Sequence, residues 1–215
     1  MNSNKKIIVF TGPSLLPEEA EKILKADYRP PVARGDVIAA LKDDPDIIAV
    51  IDGVFHKKPA VSHKEILVAL KKGVIMVGGA SMGALRASEL DDFGMVGIGQ
   101  VYQDYRNGVI ESDDDVAVVI NPETLEQLSE ALISMNYTFK AAQDNGIIDE
   151  EVFQTLVKTA KSIYYPKRTY SRVFKDSGLE TESIKHFQKF LEDNRIDVKR
   201  ADAIAVLKYI KNLDI

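Results

Sequence analysis

Gly79-Ala80-Ser81-Met82-Gly83 sets a hydroxyl among small residues where the apolar run Val74-Ile75-Met76-Val77 gives way to the helix-forming Ala84-Leu85-Arg86-Ala87-Ser88-Glu89-Leu90. In a strand–turn–helix setting, G-x-S-x-G is the pattern of a nucleophile elbow, whose small flanks let a tight turn push the serine oxygen toward substrate. A helix that starts here leaves the amides near Met82 and Gly83 without intrahelical partners, available to an anion or a developing oxyanion. The competing reading is architectural: the glycines, Gly79 included, only let strand and helix pack closely. The five residues alone do not choose between the two.

Other side chains can join this chemistry. His63 is spaced with Ile66, Leu67 and Leu70 so as to fall on the inward stripe of a helix, at its first turn, where the helix dipole favours the neutral imidazole that acts as a base. Asp52 ends an apolar run before Gly53, a place suited to orienting a base. Arg34, after Pro30-Pro31 and before Gly35-Asp36, can clamp a carboxylate or thiocarboxylate with two parallel bonds, or pair with Asp36 or Asp52. Lys64 and Arg86 are further anion binders, and Gly12 follows the first strand. Each has a plainer alternative: a packed histidine, a turn aspartate, surface cations.

The elements that must hold these residues alternate. Strands are predicted over 5–11, 46–52 and 74–77, an extended piece over 28–33, and helices over 17–24, near 37–41 and after the capping pattern Ser62-His63-Lys64-Glu65. Near-continuous apolar strands alternating with helices predict an α/β fold with a parallel sheet flanked by helices, Rossmann-like and three-layered. Gly12, Arg34, Asp52 and Ser81 each follow a predicted extended segment, so one crevice at the carboxyl edge of the sheet can gather them. Gly94, Gly97 and Gly99 read as a loop beside the serine turn. From about residue 122 the pattern is helical, over 125–139, 150–163, 183–191 and 198–210. The expected division is therefore a core of residues 1–120 carrying the crevice and a helical C-terminal region of 121–215.

Composition narrows the chemistry. The 215 residues are 45% hydrophobic and 28% charged, with no cysteine, three histidines and a formal charge of −5. The absence of thiols excludes disulfides, thiolate metal ligation and a persulfide relay through this chain. Histidine spacing offers no metal site, and no cofactor is expected. The start shows no export signal and no run spans a bilayer, so a cytoplasmic protein without membrane contact is expected. The acidic balance argues against nucleic acid as partner. Glu111, Asp113, Asp114 and Asp115 lack calcium-loop spacing and read as a solvated turn or docking patch. Residues 164–175 interleave aromatics with Lys167, Arg168, Arg172 and Lys175, reading as a proline-broken joint between helices, with contact to a nucleic acid or an acidic protein open beside it.

Several motifs in fixed order carry a resemblance: Arg29-Pro30-Pro31 with Ala33-Arg34-Gly35-Asp36, Ile51-Asp52-Gly53-Val54-Phe55, His63-Lys64-Glu65-Ile66-Leu67, the 79–90 stretch, and Asp92-Phe93-Gly94-Met95-Val96-Gly97. Over about residues 8–119 the chain resembles the TfuA-like family, in its archaeal methanogen type. The resemblance implies partnership with a YcaO enzyme in peptide-backbone thioamidation, the target in methanogens being a glycine of methyl-coenzyme M reductase. It further implies sulfide supply by hydrolysis of the C-terminal thiocarboxylate of a ThiS-like, ubiquitin-fold carrier. Without cysteine the chain must act on sulfur held by another protein. The expected mechanism has Ser81 attacking, His63 taking its proton, Asp52 orienting that base, and Arg34 or Lys64 holding the anionic tail. Gly12, Gly79, Met82, Gly83 and Arg86 shape the substrate site. Direct attack by water, with Ser81 positioning it, is the rival, and a non-catalytic adaptor between carrier and YcaO is the alternative function. Small-anion binding at the serine turn is a third reading, and a homo-oligomer stays open.

Overall fold

The structure, a computed structural model, describes residues 5–55, 58–121 and 123–213. The chain divides into two compact units, residues 1–113 with 199–215 and residues 114–198. In the first, β1 (Ile7–Phe10), α1 (Pro17–Ala20), β2 (Asp27–Arg29), α2 (Asp36–Ala40), β3 (Ile47–Val50), α3 (His63–Lys71), β4 (Ile75–Gly79), α4 (Met82–Leu90), β5 (Val96–Ile98) and α5 (Gln100–Arg106) alternate as expected. The strands form one parallel sheet in the order β2-β1-β3-β4-β5, with Ile8 opposite Ile48, Ile48 opposite Met76 and Gly78 opposite Gly97.

The two-residue period of a strand sends alternate side chains to opposite faces. Ile8, Phe10, Ile48, Val50 and Met76 share one core with residues of α2, α3 and α4, while Val9, Ile47, Ala49 and Val77 share the other with Leu15 and Ala20. A parallel sheet must be covered on both faces, and α1 is only four residues long. The cover is completed by the last helix, whose Ala203, Val206, Leu207 and Ile210 fill the second core. This gives the expected three-layer α/β fold. The loop after β1 leads to one face and the loop after β3 to the other, which makes the carboxyl edge between these strands the topological switch point.

The second unit is helical: α6 (Leu132–Asp144), α7 (Glu150–Ser162), α8 (Tyr170–Ser177) and α9 (Thr181–Asn194). Phe139, Tyr170, Phe174 and Phe187 pack edge-on or tilted at its centre, with ring centroids 5.6–6.5 Å apart. Arg168 is fully buried; it donates to the carbonyls of Ala160, Ile163 and Asp114 and pairs with the Asp114 carboxylate. It thus ties off the end of α7, where helical carbonyls lack partners. α10 (Val198–Lys211) follows, and its residues from Lys199 onward belong to the first unit.

Four local expectations change. The helix expected over 17–24 is helical only over Pro17–Ala20 and continues as turns. The helix expected over 125–139 begins at Leu132, because Leu125 takes a positive φ of 59° and the Asn121 side chain collects the Glu123 amide, both outside a helical path. The glycine loop of 94–99 contains edge strand β5, where a side chain on Gly97 would meet the Tyr102 ring at 2.2 Å. The second half of 164–175 is helix α8, and its one buried cation, Arg168, is spent internally rather than on a partner.

Asp202 on α10 binds the last helix to the sheet. Its carboxylate accepts from the amides of Gln100 and Val101 at 2.9 and 2.8 Å, capping α5 from a distant part of the chain. Burial raises its pKa above the ordinary 3.8, against the lowering effect of those two bonds. An aspartate with a raised native pKa binds protons more tightly folded than unfolded, so its contribution to stability grows as pH falls through the native midpoint and levels off below 3.8. A carboxyl NMR titration is expected to place that midpoint above 3.8. Denaturation at several pH values should show wild type gaining on Asp202→Asn as pH falls through it.

Candidate active site

The backbone at Ser81 is bent in an uncommon way. The Ser81 amide donates to the Gly79 carbonyl at 2.8 Å across Ala80, whose φ is +67°. An i→i+2 bond around a positive φ is the rarer, strained form of the γ-turn, and a non-glycine residue in it is held there by its surroundings. Those surroundings are backbone. A Cβ on Gly83 would lie 1.7 Å from the Val50 oxygen, and one on Gly78 would lie 2.2 Å from the Gly83 oxygen, so α4 rests main chain to main chain on β3 and β4. The architectural role of the glycines is therefore real, and its effect is to fix the serine.

Ser81 is 1% exposed and heads α4 without capping it through its side chain. Of the two amides expected to be free, Gly83 donates to the Ile51 carbonyl at 3.3 Å, because α4 lies so close to β3. The Met82 amide has no acceptor among the described residues, so the helix offers one donor directly after the serine.

Asp52 is buried, 2% exposed, at the switch point. Its Oδ2 accepts from the Gly12 and Ser14 amides at 2.9 and 3.0 Å, and its Oδ1 from the Ser14 hydroxyl at 2.7 Å. The loop after β1, where doubly wound folds bind phosphate, thus has its amides filled by the protein's own carboxylate. The Gly12 and Ser14 amides are therefore not open to an anion. Pro31 closes over Gly12, where a Cβ would meet its ring at 2.6 Å. Val32 then pairs with Gly53, beside Met82. Gly12, Asp52 and the Ser81–Met82 turn are therefore gathered on one edge.

His63 is not on an inward face. It is the first residue of α3, where a side chain leans toward the helix N-terminus and past the packed stripe, and its side chain is 47% exposed. The ring Nε2 lies 2.8 Å from Glu89 Oε2, an oxygen shared with Arg86 at 2.6 Å, while Arg86 also donates to the Val61 carbonyl. Glu89 sits eight residues beyond Ser81, about 12 Å along α4 at 1.5 Å per residue. Among the described residues no hydrogen-bonded relay joins Ser81, His63 and Asp52. Arg34 and Lys64 are exposed, and Arg34 pairs with neither Asp36 nor Asp52, since those carboxylates take the Ala33 amide and the β1 loop. Sequence reasoning passed over Ser14, Ala80 and Glu89; only Glu89 had a signal, its i,i+3 spacing from Arg86.

No helix among the described residues is long and apolar enough to cross a membrane, and no group of three or more His, Cys, Asp or Glu among them is placed to hold a metal. A cavity of about 360 Å³ opens at the opposite edge of the sheet, between Lys5, Asp46 and Lys72. The family described as TfuA-like protein matches residues 52–169, more than half of the chain. No curated protein matches it.

Replacing Asp52 by alanine leaves two amides and a hydroxyl without acceptors in a buried loop. The expected loss is about 3 kcal/mol or more by chemical denaturation. Amide exchange should accelerate at Gly12 and Ser14 ahead of the rest of β1.

Proposed function

The chain belongs to the TfuA-like family, which is associated with YcaO-dependent thioamidation, and we propose that it serves that reaction by releasing sulfide from the C-terminal thiocarboxylate of a ThiS-like carrier protein. The observation that carries this reading is Ser81, held at a strained turn directly before an amide that has no acceptor among the described residues.

The chemistry asks little of a separate base. Attack of the serine oxygen on the thiocarboxylate carbon forms a C–O bond, and collapse breaks the C–S bond. The serine proton leaves on sulfur as hydrosulfide, so proton and charge balance without His63. Negative charge on the carbonyl oxygen falls to the Met82 amide at the N-terminus of α4, where the helix dipole reinforces it. Water then cleaves the acyl-serine, restoring the hydroxyl and giving a carboxylate and a proton. In this scheme Asp52 positions the β1 loop, and the His63–Glu89–Arg86 group belongs to the surface between α3 and α4. The rival, in which Ser81 aims a water at the same carbon, uses the same donor.

A second reading, a non-catalytic adaptor that brings carrier and YcaO together, is favoured by the near-complete burial of Ser81 and by the separation of His63 from it. One experiment divides the two. Purified protein is incubated with thiocarboxylated carrier, with and without YcaO, and the carrier is followed by intact mass. Hydrolysis is expected from this chain alone, with Ser81→Ala slower by about 100-fold or more and His63→Ala within about threefold of wild type, because its ring lies about two helical turns away. Conversion that appears only with YcaO present, and survives in Ser81→Ala, establishes the adaptor instead.

A further inference from the structure

One carboxylate staples two helix starts together beside the serine turn. Glu65 Oε1 accepts from the amide and hydroxyl of Ser62 at 3.1 and 2.9 Å, and its Oε2 accepts from the Gly35 amide at 2.7 Å, so the start of α3 is fixed to the residue that precedes α2. The Arg34 amide donates to the Pro59 carbonyl at 2.9 Å and Ala33 bridges Ala60, which lays the 58–60 segment alongside. Arg34, Lys58 and Lys64 thereby occupy one loop cluster. All three are exposed, and among the described residues none makes an ion pair.

The neighbouring carboxylates are committed elsewhere. Asp36 takes the Ala33 amide at 2.7 Å, Glu65 holds the staple, and Glu89 holds Arg86 and His63. Lys64 also stands in the first turn of α3, facing the positive end of the peptide dipoles, where basic side chains are unfavourable. Arg34 stands directly before the first residue cap of α2. Among the described residues these exposed cations make no ion pair, and broken local rules of this kind mark binding surfaces. The cluster is continuous with the site, because Val32 pairs with Gly53 and a Cβ on Gly53 would lie 2.6 Å from the Met82 side chain.

We propose that Arg34, Lys58 and Lys64 form a basic rim that docks the carboxylate-rich face of the carrier protein whose C-terminus is presented to Ser81. This rests on the reading that a carrier tail reaches that serine. A protein is favoured over a nucleic acid because the chain carries −5 overall, and the one aromatic of this loop among the described residues, Phe55, packs against the core instead of standing free to stack. Rim charges of this kind speed and orient encounter, and their effect is screened by salt.

The test measures binding without chemistry, using the full-length chain and ThiS-like carrier in its carboxylate form. Arg34→Glu, Lys58→Glu and Lys64→Glu together are expected to weaken binding about tenfold or more at low salt, and to flatten the loss of affinity seen for wild type between about 50 and about 300 mM salt. A control with the same change in charge, Lys158→Glu, Lys161→Glu and Lys189→Glu on exposed positions of α7 and α9, should bind within about twofold of wild type. Matching melting temperatures for the two triple variants exclude a folding defect. Equal carrier binding by wild type and the rim variant overturns the proposal, as does tighter binding of wild type to a nucleic-acid duplex than to carrier. Carrier binding that depends on the rim, without sulfide release, keeps the rim and removes the hydrolase; sulfide release with rim-independent binding does the reverse.

Discussion

Where Gly83 meets the carbonyl of Val50 there is no side chain between helix and strand, and that contact governs the geometry around it. It lets the Gly83 amide reach Ile51 and sets the height of α4 against β3 and β4. With α4 seated so low, the chain has only two residues, Ala80 and Ser81, in which to turn from the end of β4 into the helix. Ala80 absorbs the reversal at φ +67°, and Ser81 follows as the residue that heads α4. Strain of this sort persists only where packing over-determines it, and two interlocked backbones are as firm a support as a protein provides.

Internal carboxylates do the remaining positioning. Asp52 gathers the amides after β1, Asp36 takes the Ala33 amide, Glu65 joins the starts of α2 and α3, and Asp202 caps α5 from the far end of the chain. Each neutralises main-chain donors that would otherwise need water, at the edges of helices where the dipole already favours a negative group. The consequence for function is selective. Donors filled in this way are withdrawn from ligands, and the Met82 amide is conspicuous because none of these carboxylates is given to it.

The layered α/β class was legible because its signal is periodic: Ile7-Ile8-Val9-Phe10 and Ile47-Ile48-Ala49-Val50 show it within four residues each. The serine turn was legible because glycines bracket it. What the sequence hid is long-range or geometric. β5 is three residues around a glycine against which the Tyr102 ring packs. The burial of Arg168 depends on carbonyls of α7 and on Asp114, 54 residues away. His63 has the spacing of a core stripe, yet at the first position of a helix that spacing runs out past the packed surface. Which carboxylate would claim which amide was equally out of reach, since Asp52 and Ser14 are 38 residues apart.

The helical unit interrupts the α/β unit in sequence, and the sheet's second face is finished only by α10. During synthesis, then, the sheet is complete at Ile98 and must wait about one hundred residues, until α10 starts at Val198, for the rest of its cover on that face, while the intervening helices can collapse first. Late closure keeps apolar strand residues waiting for their cover, and it makes α10 the latch that completes the sheet's second face.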